Sequence, residues 1–226
     1  MKIGKRLKNF KAKIDSTKVY EAQEAVKLVK ETASLKFDAT IEAHANLGID
    51  PKKGEQIVRA SVNLPHGSGK KVRIAAFVPE ADVKKALAAG AAIAGGESLV
   101  EEIKKTGKCD FDIAITVPDM MKHLAVIARV LGQKGLMPNP KTGTIGTDVV
   151  KMIEELPKGK VTYKNDDTAN VHLAIGKASY TEEQILANFE AFIDSLKKAK
   201  PQMKGTYIKS VHLSSTMGPS IKVSVN

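Results

Sequence analysis

The chain holds one cysteine, Cys109, and no tryptophan among its 226 residues. A single thiol closes no internal disulfide and builds no multi-cysteine zinc site, so Cys109 reads as a small buried residue. No apolar run approaches the roughly 20 residues that a bilayer crossing needs. The opening Met1-Lys2-Ile3-Gly4-Lys5-Arg6-Leu7-Lys8 is basic but lacks the apolar stretch of a secretory signal. Lysine outnumbers arginine there and serine is scarce, unlike a transit peptide. The tail also lacks the Trp/Phe/Leu-rich face of an interfacial helix, having only Leu7, Phe10 and Ile14. A cytosolic protein with no membrane partner is expected.

Signatures of catalysis are missing as well. Gly67-Ser68-Gly69-Lys70-Lys71 is superficially like a phosphate loop, but Leu64 stands where the first Gly is needed and Lys71 where Ser or Thr is needed. No GxGxxG occurs; Gly95-Gly96 and Gly132-Gln133-Lys134-Gly135 have the wrong spacing. The five histidines, His44, His66, His123, His172 and His212, include no i, i+4 pair for a metal. No GxSxG elbow is present, and Asp110/Asp112 and Glu154/Glu155 read as solvated faces. No enzyme, no metal, no cofactor and no small-molecule substrate are expected.

What the chain does have is positive charge. Lys and Arg number 36 against 25 acids, a net +11. Residues 1–18 carry seven bases, Lys2, Lys5, Arg6 and Lys8 among them, against one acid. More than half the excess is thus clustered in one tail. A clustered positive tail attracts a polyanion, whose released counterions supply free energy; a merely solvated basic surface is the plainer account.

The hydrophobic pattern changes style twice. Residues 21–34 carry Ala22, Ala25, Val26 and Val29 at helical spacing. Residues 39–47 alternate strictly, with Ile41, Ala43, Ala45 and Leu47 on one side and Thr40, Glu42, His44 and Asn46 on the other. That is a half-buried strand with a polar outer face. A second such strand follows, with Val58, Ala60, Val62 and Leu64 inward. After Leu64-Pro65-His66-Gly67-Ser68-Gly69, a linker signal, strands near 72–78, 91–94 and 111–117 alternate with helices at 80–90, 97–106, 119–131 and 147–156. This rhythm argues for a parallel sheet covered by helices. Past Leu156-Pro157-Lys158-Gly159 the alternating style returns. Strands are expected at 160–164, 170–175, 207–215 and 220–225, with a helix at 181–199 opened by the Thr181/Gln184 capping box.

The economical architecture is an α+β domain with an antiparallel or mixed sheet, split between residues 1–66 and 159–226. Residues 67–158 would form an inserted three-layer α/β Rossmann-like domain. The crossings at Pro65, Gly67, Pro157 and Gly159 would make a hinge. A single mixed-sheet domain is the rival.

Two segments stand out from plain scaffolding. Gly132 through Gly146 is a long loop rich in Gly and Pro; a connection packed on a sheet edge is its simpler explanation. Ser210 through Ser220 places hydroxyls at Ser210, Ser214, Ser215, Thr216 and Ser220 around a Met217-Gly218-Pro219 turn. Small hydroxyls and bare main chain suit shape recognition of folded RNA; an ordinary hairpin with polar residues outward explains them equally well.

Lys36-Phe37-Asp38, Leu47-Gly48-Ile49-Asp50-Pro51, Leu64-Pro65-His66-Gly67, Gly135-Leu136-Met137-Pro138-Asn139-Pro140-Lys141, Asn165-Asp166, Gly176-Lys177-Ala178 and Ser215-Thr216-Met217-Gly218-Pro219 occur in that order. On these the chain resembles the ribosomal protein L-one family of bacterial type, across essentially its whole length. The resemblance implies two hinged domains, the split one gripping large-subunit rRNA of the mobile stalk. It also implies contact with, and release of, exit-site tRNA, and repression of the protein's own mRNA. A free RNA-binding translational regulator, not permanently on the ribosome, is the alternative. The rRNA-contacting residues it implies are Lys36, Phe37, Thr40, Glu42, Asp166, Ser210, Thr216, Met217 and Gly218. Ser214 joins them as a hydroxyl of the same stretch. Asp167 stands where the family carries a base, and Gln133 where its loop has Pro.

A division of labour follows, in which the tail attracts and the turn specifies. Thr216→Val should weaken specific RNA about 5- to 150-fold, the equivalent of one buried hydrogen bond at about 1–3 kcal/mol. Lys5→Ala should weaken all RNAs alike and flatten the salt slope by less than about one unit. Filter binding of stalk and random RNA over a salt series checks both; equal loss on the two RNAs for Thr216→Val refutes the division.

Overall fold

Strict alternation builds the first sheet. In the computed structural model, which describes residues 7–10, 14–15, 17–70, 72–156, 159–201 and 205–225, strand β1 (Thr40–Leu47) buries every second residue. It lies between two antiparallel neighbours, β7 (Asn170–Lys177) and β8 (Ile208–Ser215), and β9 (Ser220–Val223) extends the sheet to give the order β7-β1-β8-β9. Register places Ala43 opposite Leu173 on one side and Leu213 on the other. The aliphatic residues therefore share one face.

That face is covered by helices α1 (Ala22–Thr32) and α7 (Glu182–Lys198). Their Val26, Val29, Phe189, Phe192 and Leu196 join Ile41, Leu47, Ile175, Leu213 and Ile221 in one core. α7 begins where the Thr181/Gln184 spacing leads one to expect: the Thr181 hydroxyl accepts from Gln184 N, and the Gln184 side chain accepts from Thr181 N. Strands β2 (Arg59–Asn63) and β6 (Lys160–Lys164) pair as a separate two-stranded sheet.

Asn188 lies fully buried in the middle of α7, where an amide is tolerated only if satisfied. Its Nδ2 donates to Gly67 O at 2.9 Å and Ile175 O at 2.7 Å, and its Oδ1 accepts from His66 N. The Tyr180 hydroxyl also donates to His66 O. The segment read as a linker is thereby tied down through Gly67.

The described residues divide into two compact units, one running to Gly69 and resuming at Val161, the other spanning Lys70–Lys160. The second is built on a parallel sheet of order β4-β3-β5, from β3 (Ile74–Phe77), β4 (Ile93–Gly95) and β5 (Ile113–Thr116). Every residue of β3 is buried, as a strand covered on both faces must be. Ile74 and Ala76 face a layer that includes Ala86 of α2 (Glu80–Ala88) and Ile153 of α6 (Val149–Glu155). Ala75 and Phe77 face Val100 and Ile103 of α3 (Glu97–Thr106) together with Leu124, Ile127 and Leu131.

Two details depart from the expectations, and the long loop meets its plainer one. The helix expected over 119–131 is broken into α4 (Met121–Leu124) and α5 (Ala128–Gln133), with tighter turns at Pro118–Met120 and Ala125–Ile127. β-branched Val126 and Ile127 favour the break, and the tighter turn brings Ile127 into register with Leu124 and Leu131 on the sheet. Cys109 is half-exposed at the rim of that core rather than buried. The loop from Gly135 to Gly146 is closed on itself: Asn139 N donates to Thr144 Oγ1 at 2.8 Å, and Thr142 Oγ1 donates to Asn139 O at 2.9 Å. Ile145 then bridges to Thr116 at the edge of β5.

Phe192 is fully buried and meets Tyr163 edge-to-face at 5.7 Å. Phe192→Ala should cost about 3–5 kcal/mol by leaving a cavity in the first unit's core. Urea denaturation followed by tyrosine fluorescence measures it; an unchanged midpoint contradicts this account of the core.

Candidate nucleic-acid interface

At one end of β1 three segments of chain converge. The backbone of Thr40 is gripped by Thr216, whose N donates to Thr40 O at 2.9 Å and whose hydroxyl accepts from Thr40 N at 3.1 Å. The Thr40 hydroxyl in turn accepts from Lys177 Nζ at 2.8 Å. Asp38 accepts from Ser179 through both N and Oγ. Beneath them, buried Ser215 lies 3.3 Å from the Thr32 hydroxyl at the end of α1. Gly218 is required here, since a Cβ on it would collide with Ser215 Oγ.

This clamp holds two apolar side chains outward. Met217 has φ +58° and is 73% exposed, and Phe37 is 54% exposed. A left-handed backbone costs a non-glycine residue about 1–2 kcal/mol, and exposing a large apolar side chain gains nothing in folding. Lys36 is exposed beside Phe37. The Thr216 hydroxyl is engaged with the backbone of Thr40, so it sets the turn.

From this corner the outer face of the sheet runs away in polar ranks. Glu42 stands opposite Ser214, His44 opposite both His172 and His212, and Asn46 opposite both Asn170 and Ser210; Lys222 follows His212 on β9. All but exposed His172 are half-exposed. His44 Nδ1 lies 2.8 Å from His172 Nδ1, and its Nε2 lies 3.0 Å from Ser214 Oγ. Burial lowers the proton affinity of His44; His172 adds to that, Glu42 opposes it, and His212 lowers it further. His212 is also held below the usual imidazole value, first by burial and then by Lys222.

Asp166 sits in the turn between β6 and β7. Its Oδ1 accepts from Asn170 N at 2.7 Å and Thr168 N at 2.9 Å, and its Oδ2 accepts from the Thr168 hydroxyl at 2.8 Å. The Asn170 N–H is the main cause holding this carboxyl far below the usual carboxylate range, with Thr168 adding to it. The carboxylate is the turn's internal acceptor, and it lies 3.5 Å from His172 Nε2. Asp167 is exposed on the same turn, and Gln133 is simply the last residue of α5.

The structure thus brings Lys36, Phe37, Thr40, Glu42, Ser210, Ser214, Thr216, Met217 and Gly218 onto one corner and one face, with Asp166 at the adjoining turn. Lys8 is exposed on a helical turn at residues 7–10, while Lys2, Lys5 and Arg6 lie outside the described residues, as does Pro157. Lys177 and the His172, His212, Lys222 and Asn170 ranks were not singled out from sequence. His44 and Asn46 share the parity of Thr40 and Glu42, but cross-strand register alone joins them to the rest. Among the described residues no cluster of three or more His, Cys, Asp or Glu could hold a metal ion, and no helix is long and apolar enough to cross a membrane.

Comparison with known proteins is consistent along the chain. The sequence profile of the ribosomal protein L1p/L10e family matches residues 29–219. The large ribosomal subunit protein uL1 of Mesoplasma florum is 47% identical over 100% of this chain and 99% of its own length. Its counterpart in Mycoplasma capricolum is 48% identical over 98% of each chain. That of Chloroflexus aurantiacus is 49% identical over 98% of this chain and 95% of its own.

The Asp166 turn carries a pH signature. A carboxyl whose folded pKa is depressed contributes stability that is complete above its ordinary value of 3.8 and lost as pH falls through the folded value. Asp166→Asn should therefore lower the urea midpoint at neutral pH, and the gap to the parent protein should narrow at about pH 3. A gap that stays constant with pH excludes the ionised turn acceptor.

Proposed function

The chain belongs to the ribosomal protein L1p/L10e family, and from that premise we propose that it is a non-enzymatic constituent of the large ribosomal subunit in the cytoplasm, binding stalk rRNA with the corner at Met217. The observation that carries this reading is Met217 itself, left-handed and 73% exposed above a fully bonded clamp. Strain of this kind persists only where the surroundings over-determine it, and it concentrates at functional sites. An exposed methionine beside an exposed phenylalanine offers apolar contact to a ribose or base. The turn's backbone, free of bulky side chains at Gly218, can approach 2′-hydroxyls and phosphates closely.

The attraction is supplied elsewhere. The bases of the first 18 residues and the overall +11 give a salt-sensitive pull on any RNA, while the clamped corner discriminates between shapes. An mRNA folded like the stalk would compete for the same corner, which is the physical basis on which autogenous repression rests. Contact with exit-site tRNA is a further role we propose for the chain, in keeping with its family. We assign the hinge to the two crossings, at Pro65 and Gly67 and at Pro157 and Gly159; Gly67 (φ +68°) and Gly159 (φ +113°) supply left-handed backbone there. Gly67 O accepts from Asn188 and the neighbouring His66 O from Tyr180.

Met217→Gly tests the reading. Glycine removes the left-handed strain but enlarges the unfolded ensemble, so stability should change by less than about 1 kcal/mol. Losing the apolar contact should weaken a stalk rRNA fragment about 10-fold, with random RNA unaffected. Unchanged stalk affinity by gel shift would remove the corner from the interface.

A further inference from the structure

The histidines of the sheet face have no part in the clamp, yet their geometry is specific. Two ring nitrogens 2.8 Å apart, His44 Nδ1 and His172 Nδ1, can share one hydrogen: one ring donates and the other accepts. The remaining nitrogen of each ring also has a neighbour, Ser214 Oγ at 3.0 Å for His44 and the Asp166 carboxylate at 3.5 Å for His172. A second proton on the pair therefore has a place. With His172 as imidazolium, Nδ1–H points to His44 and Nε2–H to Asp166. A further proton on His44 would set two cations face to face.

We propose that the row His172–His44–His212–Lys222 is an additional binding row for RNA backbone phosphate, and that the His44–His172 pair takes up one proton as the phosphate arrives. The inference rests on the corner at Met217 being an RNA interface, because this row lies on the same sheet face, one rank beyond Glu42 and Ser214. The charged and titratable groups around the pair come from every neighbouring strand. Glu42 on β1 and Asp166 in the β6–β7 turn favour the cation; His212 on β8 and Lys222 on β9 oppose it. Lys177 belongs to the far end of β7, on Thr40. In the free protein, burial and the neighbouring His172 and His212 rings lower the proton affinity of His44, with Glu42 opposing them. A phosphate lying over the row adds negative charge close to both rings and reverses that balance. The sign follows from linkage: a group that binds its proton more tightly in the complex makes binding tighter as pH falls.

The experiment measures the affinity of the full chain for a stalk rRNA fragment between about pH 5.5 and 8 at fixed ionic strength, with calorimetry in buffers of different ionisation enthalpy to count protons. The parent protein should gain up to about 10-fold in affinity per pH unit in the steepest part of the range and take up close to one proton. His172→Gln, at an exposed position, and His44→Gln should each flatten the profile and cut the uptake, with folding confirmed by circular dichroism. Proton uptake that persists in both variants, or none in the parent protein, overturns the inference while leaving the Met217 corner intact. Loss of stalk-specific binding in Met217→Gly alone supports the corner, and a parent protein that fails to bind the fragment at any pH sinks the corner and the row together. Inorganic phosphate alone, at matched ionic strength, should not shift the imidazole proton resonances; if it reproduces the shift, the assignment to RNA is wrong.

Discussion

Everything at the proposed interface depends on β1 having a neighbour on each side. Its buried residues are small or aliphatic and fully covered, so it cannot slip by one residue without sending Ile41, Ala43, Ala45 and Leu47 to water and Thr40, Glu42, His44 and Asn46 into the core. That constraint fixes which atoms are presented outward. It also fixes the end of the strand, where the backbone of Thr40 is the partner that Thr216 needs. A turn attached to a strand that cannot shift is itself unable to shift.

The clamp explains how Met217 can remain in an unfavourable backbone region. The turn's hydroxyls and amides are satisfied within the protein: Thr216 by Thr40, Ser215 by Thr32, Gly218 N by Ser215 O. Relaxing Met217 would break several such bonds, each worth about 1 kcal/mol, for a gain of similar size. The exposed apolar surface is thus organised in the free chain, which in the proposed complex leaves less ordering cost at binding. Charge would play the complementary part: the basic tail would act over about 10 Å and without regard to sequence, and the corner at contact.

The second unit obeys a different grammar. Its β3 carries apolar residues at every position because helices cover both sheet faces, and its long loop is closed by buried threonines rather than left open. Two departures in this unit share a cause. In the 119–131 segment and at Cys109, packing overrides local pattern: Leu124, Ile127 and Leu131 are the residues buried against the sheet, and Cys109 packs at the edge of their cluster.

Much of this molecule was legible in one dimension. Period-two alternation declared the half-exposed strands, continuous apolar runs declared the covered ones, and the Thr181/Gln184 spacing declared the start of α7, because each depends on neighbours only a few residues away. The corner was legible in part, since Thr216, Met217 and Gly218 are unusual residues in an unusual order. What the sequence could not disclose was every relation across strands: that Thr216 turns its hydroxyl inward to Thr40, that Lys177 joins them, that Asn188 anchors Gly67, and that His44 faces His172. Those pairs are separated by more than a hundred residues along the chain; register between packed strands, and for Asn188 the packing of α7 on the sheet, brings their atoms within hydrogen-bonding reach.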